Sequence, residues 1–275
     1  MPANKARLDE RLVREAFFPT LETARGAIMA GLVYVDERLS DKPGALISLS
    51  ARLRVKRPAS GYVSRGGLKL AKAIKTFRLD FQGKVVLDAG ASTGGFTDCA
   101  LQHGAALVYA VDVNYGQLAW RLRQDPRVKA LERTNIRYLG PERLEPAPEL
   151  AVIDLSFISL TTVLPNIFVL LRLRGEGVAL LKPQFEAPRA RLEAKGVVRD
   201  PQVHQAVLAK IVAFIEAAGG QTLGLDFSPL TGPAGNIEYL LHFRPGRLDP
   251  EPASGEKQTF NYSALVAKAR EELLK

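Results

Sequence analysis

KVVLDAGASTGGFTD, residues 84–98, decides how this chain is read. Val85, Val86 and Leu87 form a short apolar, largely β-branched run. Asp88 follows, then a turn containing Gly90, Gly94 and Gly95, then residues able to start a helix. A strand that passes through a glycine-rich turn into a helix N-terminus opens an α/β sheet at the point where nucleotide-like ligands bind. Glycine there lets the backbone take φ > 0 and approach a ligand closely. Alone, such a turn is only moderately specific; its surroundings carry the rest.

Downstream, ALVYAVDVN (106–114) reads as a second buried strand ending at Asp112, so 84–112 is one βαβ unit. An acid at the end of the second strand is placed to accept hydrogen bonds from ribose hydroxyls. VKALER (128–133) is a third strand, followed by Asn135, whose amide could read an adenine edge. LAVIDLSF (150–157) and GVALLKPQF (177–185) are a fourth and a fifth. The helix between them (158–171) is expected to kink or break at Pro165. Pro201 opens another helix that Gly219-Gly220 ends. QTLGLDFSPL (221–230) and GNIEYLLHFR (235–244) pair as two last strands. Ser92 stands where the dinucleotide fingerprint G-x-G-x-x-G needs its middle glycine, which argues against a hydride-transfer enzyme. The expected fold class is α/β: a seven-stranded Rossmann-like methyltransferase dependent on S-adenosyl-L-methionine (SAM) over 62–245, with a small N-terminal α+β domain over 5–57.

That small domain is read from Leu8, Leu12 and Val13 on one short helix and Ala24, Ala27 and Ile28 on a second that stops at Gly31. LVYVDE (32–37) reads as strand then turn, and ISLSARLRV (47–55) as one continuous alternating strand. Residues 58–61 (PASG) are a short hinge. In YVSRGGLKLAKAIKTF, Ser64 caps a helix whose apolar face is Leu68, Ala71, Ile74 and Phe77, with Lys69, Lys72 and Lys75 along one edge. The Pro- and charge-rich tail after residue 245 is expected to be mobile, ending in an amphipathic helix over 263–274.

Charge is distributed unevenly. The chain has 275 residues and a formal net charge of +9, of which residues 1–80 hold 16 Lys/Arg against 8 Asp/Glu. Between residues 51 and 79 there are nine basic residues and no acid. A one-sided basic region beside a nearly neutral domain is an electrostatic footprint for nucleic acid, and the lack of local counter-charge argues against a merely solvated face. Cys99 is the only cysteine and the three histidines lack ligand spacing, so no metal site is expected. The N-terminus has no signal-peptide core and no apolar run reaches the ~18 residues of a membrane span. The expectation is a cytoplasmic protein with no membrane partner and no obligate protein partner.

Four ionisable residues stand where this fold would bring them together. Asp154 and Lys182 end two strands at the carboxyl edge next to the glycine loop, Lys69 lies on the helix before the first strand, and Glu238 lies in the last strand. Singly, Asp154 could be a helix cap and Lys182 a rim lysine. Phe157 and Phe185 follow the two strand ends and could stack an extruded base or simply pack.

This combination resembles the FtsJ/RrmJ class of RNA ribose 2′-O-methyltransferases, which carry a Lys-Asp-Lys-Glu tetrad. More narrowly, the chain resembles the haemolysin A (TlyA) family of ribosomal-RNA methyltransferases, through SRGGLKL, DAGASTGGFTD, DVNYGQLAWRLR, VIDLSFISL, LLKPQFE, KGVVRD and GNIEYLL. RLDERLV and AGLVYVDE resemble the S4 RNA-binding domain, although Thr20-Leu21 replaces the Ser-Arg usual at the start of its second helix. The Thr20 hydroxyl can still cap that helix, and Arg14, Arg25 or Arg38 could replace the missing arginine contact. The resemblance implies methyl transfer from SAM to the 2′-OH of cytidine in rRNA of the small or large ribosomal subunit, or both. It implies Lys69, Asp154, Lys182 and Glu238 as the catalytic tetrad. Around SAM it implies Asp88, Gly90, Asp112, Asn135 and Asp154, to which the glycine turn adds Ser92, Thr93, Gly94 and Gly95. Contacts to RNA are expected from Arg7, Arg11, Arg14, Arg25, Arg65, Lys72, Phe157 and Phe185.

Three other functions compete. Base N-methylation commonly uses an Asn/Asp-Pro-Pro-aromatic turn after the fourth strand, where this chain has Asp154-Leu155-Ser156-Phe157. Membrane lysis lacks a span or a strongly amphipathic helix. A non-enzymatic role in RNA binding or ribosome assembly would leave the glycine loop without a ligand.

Overall fold

In the computed structural model the described residues are 5–18, 20–29, 31–55, 61–193, 196–246 and 259–274. The hinge residues 58–60, Lys56, Arg57 and most of the tail (247–258) lie outside them.

Seven strands form one sheet: β6 (Val85–Ala89), β7 (Leu107–Val111), β8 (Val128–Leu131), β9 (Leu150–Ile153), β10 (Glu176–Leu181), β11 (Gln221–Phe227) and β12 (Tyr239–Arg244), in the order β11-β12-β10-β9-β6-β7-β8. β8 through β10 run parallel, and β12 is antiparallel to both its neighbours. From β6 the chain builds outward through β7 and β8, then returns to lay β9 on the other side. The order therefore reverses between β6 and β9, and a crevice opens at their carboxyl ends. Gly90 and Asp154 are the next residues after those two strands, and Asp154 N donates to Ala89 O.

Both faces of the sheet are covered, which is why the parallel strands read as nearly unbroken apolar runs. On one face lie α6 (Leu160–Leu170), α8 (Pro201–Ala217) and α9 (Tyr262–Leu273), packed through Val163, Ile167, Leu208, Ile211 and Val266. On the other lie α3 (Gly66–Phe77), α4 (Gly95–Gln102) and the one-turn α5 (Trp120–Arg123), through Leu70, Ala73, Phe96, Cys99 and Leu122. Asp200 caps α8 by accepting from Gln202 N, with Pro201 at the first helical position, and Gly219 turns the chain back at φ +78.

The described residues up to Val55 build a separate core. α1 (Leu8–Arg14) and α2 (Leu21–Met29) pack Leu8, Leu12, Ala24 and Ile28 against Val33 of β2 (Val33–Val35). Thr20 and Thr23 cap α2 reciprocally, each hydroxyl accepting from the other's backbone N–H at 3.2 Å.

Four local expectations need correction. Residues 47–55 are not one strand: β4 (Leu46–Ser48) pairs with β1 (Lys5–Arg7), whereas β5 (Leu53–Val55) pairs with β2 in a three-stranded sheet with β3 (Arg38–Leu39). A turn closed by Ala51 N to Ser48 O, with Ser48 Oγ accepting from Ser50 N, separates them. α6 runs through Pro165 without a break. The ring sits on the exposed side, where the carbonyl it leaves unbonded can meet water. The inward face of α3 also takes in Lys69, Leu70 and Ala73; of the expected stripe, Ala71, Ile74 and Phe77 pack against the same core and Leu68 stays half-buried. Glu238 precedes β12 rather than lying within it.

Candidate active site

A cavity of about 240 Å³ sits at the crevice, lined by Gly90, Ser92, Asp112, Thr134, Ile136, Asp154, Ser156 and Phe157, among others. Its floor is the turn after β6. Gly90 has φ +91, and a Cβ there would lie 2.5 Å from Asp154 O, so only glycine lets the turn and β9 approach this closely. Ser92 is also left-handed, at φ +48, and its N–H donates to Asp112 Oδ2 at 2.8 Å. Asp112 Oδ1 accepts from Asn114 N at 2.8 Å, so one carboxylate fastens the loops after β6 and β7 while lining the cavity.

Asp88 lies beneath this floor and is fully buried. Thr97 Oγ1 donates to its Oδ2 at 2.6 Å, while Oδ1 has no partner among the described residues. Burial pushes its carboxyl up to about 7; the Thr97 hydroxyl pulls it back, and Asp154 and Asp112 add repulsion.

Two lysine–carboxylate pairs stand at this end of the sheet, one of which reaches the cavity lining through Asp154. Lys182 Nζ lies 2.6 Å from Asp154 Oδ1 and donates to Ser156 Oγ at 3.0 Å. Lys69 Nζ lies 2.5 Å from Glu238 Oε2, with both side chains buried. The antiparallel ladder explains their proximity. Leu181 pairs with Tyr239, so Lys182 and Glu238 are the next opposed positions and share a sheet face. α3 crosses that end of the sheet and brings Lys69 to Glu238 from 169 residues away. Phe157 is 91% exposed at φ +64, and its ring centroid lies 5.1 Å from that of Phe185.

Other expected contacts are placed differently. Thr93, Gly94 and Gly95 do not line the cavity. A Cβ on Gly94 would strike Leu122 at 2.3 Å and one on Gly95 would strike Ser64 Oγ at 2.4 Å, so these glycines let α4 pack against α5 and the start of α3. Asn135 is also off the lining; its Oδ1 accepts from Arg137 N at the cap of a short 3-10 turn, and its neighbours Thr134 and Ile136 face the cavity instead. Asn114, Gln117, Leu155 and Ser156 were not anticipated there, although each lies within a few residues of Asp112 or Asp154.

The basic residues also divide. Arg11 is 4% exposed and its guanidinium is committed to Glu15, Ser48 O and Ala51 O, which removes it from any RNA-facing surface. Arg7 and Arg25 share buried Asp9, whose carboxyl they hold low against the opposing effect of its burial. Lys72 pairs with Asp226 at 3.2 Å and lies over the Phe227 ring. Arg54 pairs with Glu37. Counter-charges missing nearby in sequence are thus supplied from other elements. Arg14 and Arg65 are exposed and make no side-chain ion pair or hydrogen bond among the described residues. Among the described residues there is no cluster able to hold a metal ion, and no helix long and apolar enough to cross a membrane.

Comparison with known proteins gives one family. Residues 62–245 match the model of the FtsJ-like methyltransferases. YqxC of Bacillus subtilis is 53% identical over 243 residues, covering 88% of this chain and 86% of that protein. The 16S/23S rRNA (cytidine-2′-O)-methyltransferase TlyA of Mycobacterium tuberculosis is 44% identical over 243 residues, covering 88% and 91%. A solved hemolysin-designated chain from Streptococcus thermophilus is 42% identical and superposes with a TM-score of 0.72 over 98% of this chain and 97% of its own.

Proposed function

The chain belongs to the FtsJ-like methyltransferase family, and from that premise we propose that it transfers a methyl group from SAM to the ribose 2′-oxygen of cytidine in ribosomal RNA. The observation that carries this reading is two lysine–carboxylate contacts: Lys182–Asp154, whose carboxylate lines the cavity at the switch point, and the buried Lys69–Glu238 pair, whose glutamate opposes Lys182 across the ladder. Base N-methylation needs no such pair of lysines; a ribose hydroxyl, a poor nucleophile, does.

The residues present fit SAM. The Gly90 turn leaves no room for a side chain, Asp112 borders the cavity, and buried Asp88 keeps one carboxylate oxygen without a donor. Asp112 with Thr134 and Ile136 would hold the nucleoside end, and the Gly90 turn with Asp154 the other. When bound, SAM supplies an electrophilic methyl group. Asp154 and Ser156 hold the amine of Lys182, which takes the 2′ proton or steadies the developing alkoxide. Lys69, held by Glu238, supplies a second positive charge at the same end of the sheet. A positioned base is typically worth about 10²–10⁴-fold, and alignment of the reacting atoms supplies more.

The exposed ring of Phe157 beside Phe185 offers a stacking surface for the extruded base. The N-terminal unit, read as an S4-like module, and the turn at Arg65 supply phosphate contacts, so binding weakens steeply with salt. The reaction belongs in the cytoplasm, where ribosomal subunits are, and needs no obligate protein partner.

The test is transfer of tritiated methyl from SAM to separate small and large subunits of an unmodified source. Label that protects its phosphodiester from alkaline cleavage, as 2′-O-methylation does, is the expected result. Label on a base overturns the ribose assignment. Failure to bind SAM in calorimetry would leave only an RNA-binding role.

A further inference from the structure

Lys182 Nζ carries three tetrahedral N–H directions and has no acceptor capacity while charged. One direction is taken by Asp154 Oδ1 at 2.6 Å and one by Ser156 Oγ at 3.0 Å. No third hydrogen-bond acceptor occurs among the described residues; the Phe185 ring lies 5.9 Å from Nζ. A single contact to Asp154 would leave the group free to turn about that bond, whereas a second acceptor sets where the third direction points. We propose that Ser156 is the positioning residue that aims this third direction of Lys182 at the reacting 2′-oxygen, a reading that rests on the ribose methylation proposed above.

Three features of Ser156 support the assignment. It lines the same cavity as Gly90 and Asp112, so its hydroxyl stands between the ligand site and the buried amine. It accepts from Lys182 and keeps its own O–H to donate, with no other side-chain partner among the described residues. It is also held from both sides. Asp154 before it is fixed to the end of β6 through Ala89 O, and Phe157 after it sits in the left-handed region at φ +64.

The proton bookkeeping is consistent. The ammonium first releases its third proton to solvent; in the amine that remains two N–H bonds still serve Asp154 and Ser156, and the lone pair occupies the third position. The 2′-oxygen–carbon bond forms as the sulfonium carbon–sulfur bond breaks, the electron pair stays on sulfur, and the 2′ proton moves to Nζ. The resulting ammonium keeps Asp154 as its counter-ion.

The test uses the full chain with Ser156→Ala, Ser156→Thr and Lys182→Met, each assayed for methylation of unmodified subunits, SAM binding by calorimetry and thermal unfolding. Ser156→Ala is expected to lose roughly 10–100-fold in kcat, the scale of a misaligned reacting group. KM for RNA and the SAM dissociation constant should stay within about threefold, the signature of an interaction made only in the transition state. Ser156→Thr, which keeps the hydroxyl, restores most of the rate. A Ser156→Ala protein with the normal kcat, a loss confined to SAM affinity, or a threonine variant as slow as alanine overturns the assignment. If Lys182→Met is inactive in any of those cases, the positioning role falls alone. If Lys182→Met keeps the normal rate, the reading of the whole site falls with it.

Discussion

Arg11 in the small N-terminal core and Lys182 at the carboxyl edge of the large sheet are hidden to a similar degree, 4% and 8% exposed. Each meets one carboxylate and further oxygen acceptors. Arg11, however, spends all three guanidinium nitrogens internally, on Glu15 and on the carbonyls of Ser48 and Ala51. Lys182 spends two of its three N–H directions, on Asp154 and Ser156. The difference teaches that burial of a cation does not separate a strut from a tool. What separates them is where a leftover donor lies: that of Lys182 lies beside Asp154 and Ser156, which line a cavity, and Arg11 has no such cavity next to it among the described residues.

The sharpest way to break that contrast is to replace both cations with an apolar chain of similar length. Lys182→Met should lower methyl transfer by about 10²–10⁴-fold, the usual worth of a positioned base, with little change in the unfolding midpoint. Arg11→Met should do the reverse. It strands the Ala51 carbonyl, Ser48 O keeping the Ala51 N–H, and costs about 1–3 kcal/mol of stability, while the folded fraction methylates normally. An Arg11→Met protein that kept its stability but lost RNA affinity would return Arg11 to the RNA-binding surface.

Asp88 sharpens the comparison from the acidic side, as a buried carboxyl with one oxygen unpartnered. Its carboxyl is pushed up to about 7 from an ordinary 3.8. Between those values the folded protein holds a proton that the unfolded chain has released, so the ligand-free protein loses stability as pH rises through this window and levels off above it. Asp88→Asn keeps an acceptor for Thr97 but carries no charge. At pH 8 it should raise the ligand-free unfolding midpoint by at least about 2–4 °C, the shift for each 1 kcal/mol in a domain of this size. It should also remove the fall between pH 5 and 7 and weaken SAM binding. Unfolding midpoints that follow pH identically in the two proteins would show that Asp88 does not titrate there.

Arg65 should give the smallest effect. Exposed and without a side-chain partner among the described residues, it fits a phosphate contact. Arg65→Ala should flatten the slope of log affinity against log salt by about one unit and leave kcat at saturating RNA unchanged. An unaltered slope would make it a solvated arginine.

Much of the fold was legible because its signals are short-ranged. The β6 run, the Gly90 turn, the Pro201 start and the Gly219 stop each act within a few residues. The misreadings arose where a local pattern had two outcomes. Residues 47–55 alternate as a strand should, but the Ser48–Ala51 turn divides them between two sheets. Gly94 and Gly95 also make room for Leu122 and Ser64, a packing role that their place in a ligand turn does not reveal.

By itself the sequence determined the strand-and-helix order of the large sheet and the place of the glycine turn, since both follow from periodicity, turn chemistry and strand ends; the four residues of the tetrad were marked by the family resemblance. Tertiary structure alone decided which charges are committed. The acid-free run from 51 to 79 looked free of counter-charge, but Glu37, Asp226 and Glu238 reach back into it, the last from 169 residues away. Ion pairing depends on distance through space, which sequence separation does not encode; the same local pattern therefore yields Lys69 held in a buried pair and Arg65 open to solvent.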